Sequence, residues 1–163
     1  MECPSCHSLS VKGRWYGPKN EEQGVRNFRK DLVTGKLTCP ACLQQKQHCA
    51  QGVVELHGVR WTEKAELVFK TIDSTEGIAR GRNDQERVLW TTTAKDVTKI
   101  FVTLPELARG IGRVLQRAFK GKVRYHRTRE EPFIRVVWDS DEVLGVRVPT
   151  KRKSSKWRGR GVV

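Results

Sequence analysis

Two short cysteine pairs constrain this chain more than anything else in it. "CPSC" supplies Cys3 and Cys6, "CPAC" supplies Cys39 and Cys42, and 32 residues lie between them. A C-x-x-C knuckle turns two thiolates toward one ion, and two knuckles complete the four tetrahedral ligands that zinc prefers. Pro4 and Pro40 stand at the same place in each knuckle. The separation exceeds the roughly 15 to 20 residues of compact zinc modules, so the intervening chain must bulge out as a loop. Four thiolates leave no coordination position for a substrate water, which predicts a structural zinc rather than a catalytic one. His7, His48 and Cys49 lie close in sequence and are alternative ligands. The simpler reading makes the histidines surface residues and Cys49 a packed thiol.

The setting of these cysteines matters. No apolar stretch behind a basic start precedes Cys3, so a secretory leader is not expected. No apolar run approaches the roughly 18 to 20 residues needed to cross a bilayer. The expected compartment is the cytoplasm, where thiols stay reduced and paired knuckles serve as metal ligands rather than disulfides. The net charge of +14 points to a polyanionic partner. That charge is uneven: residues 1–52 carry +4, residues 53–146 carry +3, and residues 147–163 carry +7 with no acid among them. Three parts follow: a metal-ordered module over 1–52, a nearly balanced body over 53–146, and a basic tail over 147–163.

The first part has little periodicity. "VKGRWYGPKNEEQ" reads as loop, and "GKLTCPAC" as a short strand entering a turn. From Val53 the pattern sharpens. "VVELHG" alternates as a strand does. Ala65, Val68, Phe69, Ile72 and Ala79 share one face of a helix that Thr62 is placed to cap. "RVLWTTT" and "VTKIFVTL" flank the turn "AKD" and predict a hairpin. Thr103 and Glu106 then form a capping box around Pro105, and an apolar stripe runs from Leu107 through Ile111 and Leu115 to Phe119 before Gly121 stops the helix. "KVRYHRT" and "FIRVVWD" close the body as two strands, with Ile134, Val136 and Trp138 on one side. The order β-α-β-β-α-β-β predicts an α+β, ferredoxin-like domain with one appended strand: an antiparallel sheet, two helices on one face, the other face free.

The two C-P-x-C knuckles, "GRW" after the first, "VTLPELARGIGRVLQRAFKG" and the closing "IRVVWD" resemble a family of short bacterial zinc-knuckle proteins. That family is distantly similar to the N-terminal zinc region of the archaeal and eukaryotic large-ribosomal-subunit export adaptor. The resemblance spans most of residues 1–142 and leaves out the tail. Cys3, Cys6, Cys39 and Cys42 match its knuckles. It implies a ribosome-associated role without catalysis.

Candidate RNA contacts come from charge and aromatic side chains. In the tail, Lys151, Arg152, Lys153, Lys156, Arg158 and Arg160 surround Trp157. Such cations neutralise phosphates, and an indole stacks on an unpaired base; a solvated, disordered terminus is the plainer alternative. Arg109, Arg113 and Arg117 recur every four residues along one helix, either as a basic stripe or as a solvated face. Gly110 and Gly112 in that helix anticipate a close neighbour, the sheet before a phosphate backbone. Lys12, Arg14 and Trp15 lie between the knuckles, where Trp15 either meets RNA or covers the zinc site. No P-loop, G-x-S-x-G or H-E-x-x-H occurs, so no enzymatic activity and no small-molecule substrate are expected. The leading expectation is a monomeric protein on ribosomes or rRNA, in subunit maturation or in the hibernation of idle ribosomes. A zinc-ribbon DNA-binding or transcription factor, and a protein–protein adaptor using the free sheet face, are the competing classes.

Overall fold

A computed structural model describes residues 1–18, 31 and 33–142; the tail contacts expected from Lys151 to Arg160 lie outside these. The N-terminal part holds strands β1 (Leu9–Val11) and β2 (Arg14–Tyr16) and helix α1 (Pro40–Gln47). Strand β3 (Gly52–His57) follows, then a 3-10 turn (Arg60–Lys64) and helix α2 (Ala65–Arg82). Strands β4 (Val88–Ala94) and β5 (Val97–Val102), helix α3 (Pro105–Phe119), and strands β6 (Lys122–Arg127) and β7 (Ile134–Asp139) complete the body. No helix among the described residues is long and apolar enough to cross a membrane.

The α+β class and the seven-element order of the body are as expected, but the sheet is not the antiparallel ferredoxin-like one. Its order is β4-β5-β3-β7-β6. The β3–β5 and β4–β5 pairs are antiparallel, as a split βαβ unit requires. The β3–β7 pair is parallel. Helix α3 delivers the chain to the outer edge as β6, and the following hairpin returns inward, so the last strand is inserted rather than appended. Composition explains the choice. In β7, Ile134, Val136, Val137 and Trp138 are all buried, whereas β6 ("KVRYHR") has none of its six residues buried. The apolar strand takes the interior, and the cationic one guards an edge against pairing with another chain.

Helix directions follow from this topology. Helix α2 links β3 to β4, which run the same way, and α3 links β5 to β6, which run the opposite way. The two helices are therefore antiparallel, and both pack on one face. Val54, Ile100, Val136 and Trp138 of the sheet meet Val68 and Ile72 of α2 and Leu107, Ile111 and Leu115 of α3 in one core. Burying each aliphatic side chain contributes about 1.5 to 3 kcal/mol. Gly112 is a point of close helix–sheet approach: a Cβ there would lie 2.7 Å from Val136 Cγ1. The close neighbour anticipated for Gly112 is thus the sheet.

Neither expected helix cap forms. Thr62 lies inside the 3-10 turn, where its Oγ1 donates to the Val59 carbonyl at 2.6 Å. The start of that turn is instead held by Asp141, which accepts from the Val59 and Arg60 amides at 2.8 and 2.9 Å. Thr103 is buried, and its hydroxyl donates to the Gln85 carbonyl at 2.6 Å while accepting from the Arg87 amide at 2.8 Å. A buried backbone elsewhere outbids the local cap for the same oxygen.

On the sheet face away from the helices, Glu55 is 3% exposed. Arg135 donates to it twice at 2.8 Å, His57 Nε2 lies 2.9 Å away and Lys99 Nζ 3.4 Å. The Arg135 hydrogen bonds, opposed by burial and aided by His57 and Lys99, hold its carboxyl down to about 2 from an ordinary 4.5. A depressed folded value means stability that is present above pH 4.5 and lost as pH falls through 2. Glu55→Gln is expected to cost about 2 kcal/mol at neutral pH, with the deficit shrinking as the pH approaches that lower value. Urea unfolding at pH 7 and pH 3 checks this; an equal deficit at both contradicts it.

Candidate metal centre

The two knuckles meet because the backbone around them pairs. Glu2 bridges Lys36 in parallel and Leu9 in antiparallel fashion, with Glu2 N–H donating to Gly35 O at 2.9 Å and Leu37 N–H to Glu2 O at 3.0 Å. This sets Cys3 beside the segment that leads into Cys39. The first knuckle is a tight turn: His7 N–H donates to Cys3 O at 2.9 Å, and His7 itself takes a left-handed φ of 61°. The second knuckle opens a helix. Cys39 is its N-cap, Pro40 occupies the first turn, and the Cys42 amide donates to Cys39 Sγ at 3.4 Å. The Cys39 amide in turn donates to Cys3 Sγ at 3.3 Å.

Two elements here depart from the sequence reading. "CPACLQQKQ" is helix α1 rather than a turn, and "LSVKGRWY" is a β-hairpin rather than a loop. The hairpin turns through Lys12 and Gly13 at φ 50° and 80°, the left-handed pair that a two-residue turn needs.

The four Sγ atoms of Cys3, Cys6, Cys39 and Cys42 all lie within 4.8 Å of one another, and Cys6 Sγ is 3.6 Å from Cys39 Sγ. That is too far for a disulfide and close to the about 3.8 Å edge of a tetrahedron with 2.3 Å metal–sulfur bonds. All five cysteines are free. The donor set fits a thiophilic divalent ion. Burial, with backbone amides of Cys39, Cys6 and Ser5 acting against it, leaves the Cys3 thiol below its ordinary value. Cys6 is brought down to about 6, where hydrogen bonds from Ser8 and Arg87 outweigh burial. Burial and the neighbouring sulfurs push Cys39 and Cys42 up. His7 reaches Glu2 instead (3.1 Å), His48 lies edge-on to Trp90 (ring centroids 5.2 Å apart), and Cys49 is exposed rather than the packed thiol expected. Among the described residues, the metal-competent group is the four cysteines alone.

A charged lock joins this centre to the body. The side chain of Asp84 is 1% exposed. It accepts from Ser8 Oγ at 2.6 Å, from Arg80 Nη2 at 3.1 Å and from Arg87 Nη2. Arg87 also donates to Ser8 Oγ at 3.0 Å and approaches Cys42 Sγ at 3.9 Å. Gln85 Oε1 accepts from the Ala41 amide at 2.9 Å, and Arg14 Nη2 donates to the Arg82 carbonyl at 3.0 Å. The 82–87 segment thus seats both knuckles. Sequence reasoning passed over Asp84 and Arg87, since their partners lie 76 to 79 residues away.

The expected contact residues are dispersed. Trp15 packs against the cysteine cluster, which is the covering role weighed for it. Lys12 is exposed at the hairpin turn, and the Arg14 guanidinium lies 5.2 Å from the Tyr16 ring centroid. Arg113 and Arg117 are exposed along a groove between α2 and α3. Arg109 is half-buried, with Nη2 lacking a partner among the described residues. Compared with protein-family models, curated proteins and solved structures, the chain finds no match.

Proposed function

We propose that this chain is a zinc protein that binds rRNA and works on the ribosome, in the hibernation of idle ribosomes or in subunit maturation. The observation that carries the reading is the placement of charge. Half of the excess of +14 sits in the last 17 residues, free of acids and built around Trp157. Phosphate neutralisation with stacking of an indole on splayed bases is how structured RNA is held. Zinc is the ion a closed four-thiolate set selects, and it would serve as a brace. Held by that brace and by the Asp84 lock, the hairpin sets Lys12 and Arg14 on a rigid edge. The protein is taken to act in the cytoplasm, as a monomer when free and without catalysis.

Sedimentation through a sucrose gradient at low salt tests this. The protein is expected in ribosomal fractions, and its absence from all of them contradicts the proposal. Removing residues 147–163 is expected to weaken binding to purified rRNA. The salt dependence should also flatten, the slope of log K against log salt falling by about 0.7 to 0.9 per lost phosphate contact. An unchanged slope assigns the contacts elsewhere.

A further inference from the structure

The groove between α2 and α3, on the side of the helices away from the sheet, is lined by residues that leave it open among the described part of the chain. It encloses about 860 Å³. Leu67, Thr71, Ser74 and Ile78 run along α2 at intervals of four, three and four residues, the spacing at which one helix seats another. Leu67 is 55% exposed and Ile78 68% exposed. The hydroxyls of Thr71 and Thr75 are tied to carbonyls of their own helix, at 2.8 and 2.7 Å, so these side chains offer the groove little polarity. Opposite Thr75 stands Gly110, where a Cβ would lie 4.0 Å from Thr75 Cγ2. The Gly110 position thus keeps the floor low, in contrast to Gly112 on the sheet side.

The charge of the groove is polarised. Because the helices are antiparallel, Lys70 near the start of α2 shares one end with Arg113 and Arg117 near the end of α3. None of the three makes an ion pair with a described residue. The other end is lined by Arg82 together with Glu86 and Glu106. Three cations near the exposed Leu67, with the exposed Ile78 toward the other end, oppose the chain's own basic tail and a second copy of a +14 protein. An apolar floor offers nothing to a sugar–phosphate backbone, and a concave groove fits a rod better than a flat bilayer.

We infer that this groove docks an acidic amphipathic helix of a partner protein, its apolar face on Leu67, Ile78 and the low floor at Gly110, its carboxylates against Lys70, Arg113 and Arg117. The run from Leu67 to Ile78 spans about 16 Å, so a helix of about 12 to 14 residues covers it. The inference reassigns Arg113 and Arg117, candidate RNA contacts in the sequence, to a protein partner and leaves the RNA reading to the tail and the hairpin.

The experiment titrates the full zinc-loaded chain, labelled with nitrogen-15, with a synthetic helix of about 14 residues carrying leucine at heptad spacing and glutamate on its flanks. Saturable shifts of the Thr75, Ile78 and Gly110 amides are expected, and none with the same peptide carrying lysine for glutamate. Arg113→Glu combined with Arg117→Glu should weaken the acidic peptide by about tenfold or more and admit the lysine peptide. Both arginines are exposed, so the variant keeps its fold, which the dispersion of its amide spectrum monitors. Failure of the acidic peptide to move these amides overturns the inference. So does movement of the same amides by oligouridylate, which makes the groove an RNA site, or by phosphatidylglycerol vesicles, which makes it a membrane contact.

Discussion

Cys39→Ser is expected to leave the protein without bound metal and without an ordered head, while the sheet survives. Cys39 is fully buried, contributes one of the four sulfurs, and caps helix α1. Apart from its lock on the 82–87 segment, the head has little else to hold it: α1 is eight residues long, below the length at which an isolated helix persists in water, and β1 and β2 have three residues each. Its apolar cluster is confined to the cysteines, Ala41 and Trp15, beside the fully buried Leu9 of β1. An ion bound there would therefore supply most of the folding free energy of this part, as structural zinc does in small zinc folds, where it contributes about 10 to 16 kcal/mol. The body keeps its own core of fifteen buried residues and should unfold separately. Hydrogen exchange reads the difference. Amides of residues 1–16 and 40–47 should lose protection in the variant or after chelation, and those of β3, β5 and β7 should retain it. Unaltered protection in the head contradicts a metal-dependent fold.

Asp84→Asn carries the second largest effect. Arg87 has 11% of its side chain exposed and faces Asp84, Ser8 and the cysteine sulfurs. With the metal bound, four thiolates around a divalent ion leave a net negative cluster, and Arg87 is poised between that cluster and the Asp84 carboxylate. Removing one partner of such a buried pair costs about 3 to 5 kcal/mol, since the remaining charge stays in low dielectric. The loss falls on the joint between head and body. Chemical denaturation should lower the stability of the whole, and Asp84→Asn should release zinc to a chelator faster than the native chain does. A variant of native stability and native release rate would mean that the head is held by its metal alone. Because Arg80 also pairs with Asp84, Arg80→Ala provides a milder comparison, its side chain being 36% exposed.

The body was legible where side chains repeat with the period of their element. The core-facing positions Val54 and Leu56, Ile134, Val136 and Trp138, and the stripe from Leu107 to Phe119, identify strands and a helix directly, because packing against one core imposes that spacing. The β4–β5 turn was equally plain: Lys95 and Asp96 both take left-handed φ, at 50° and 64°. What stayed hidden depends on distant partners. Nothing local to "KVRYHR" and "IRVVWD" places the second inside the sheet, since that order reflects competition between whole strands for burial. Thr62 and Thr103 carry the residue types of caps, yet Asp141 and the 85–87 backbone determine what happens there. The cysteine cluster follows from spacing alone, whereas Asp84 and Arg87 look like ordinary surface charges in "RNDQER". The hairpin at "SVKGRW" was concealed by strands too short to alternate. Helix α1 was concealed by the knuckle reading of its first residues, although Cys39 before Pro40 is also a helix start.

The most direct test of the account is zinc K-edge X-ray absorption on the protein as purified. Four sulfur scatterers at about 2.3 Å, with no nitrogen or oxygen in the first shell, are the predicted result. A first shell with fewer than four sulfurs, or with imidazole nitrogen in place of one, would contradict it.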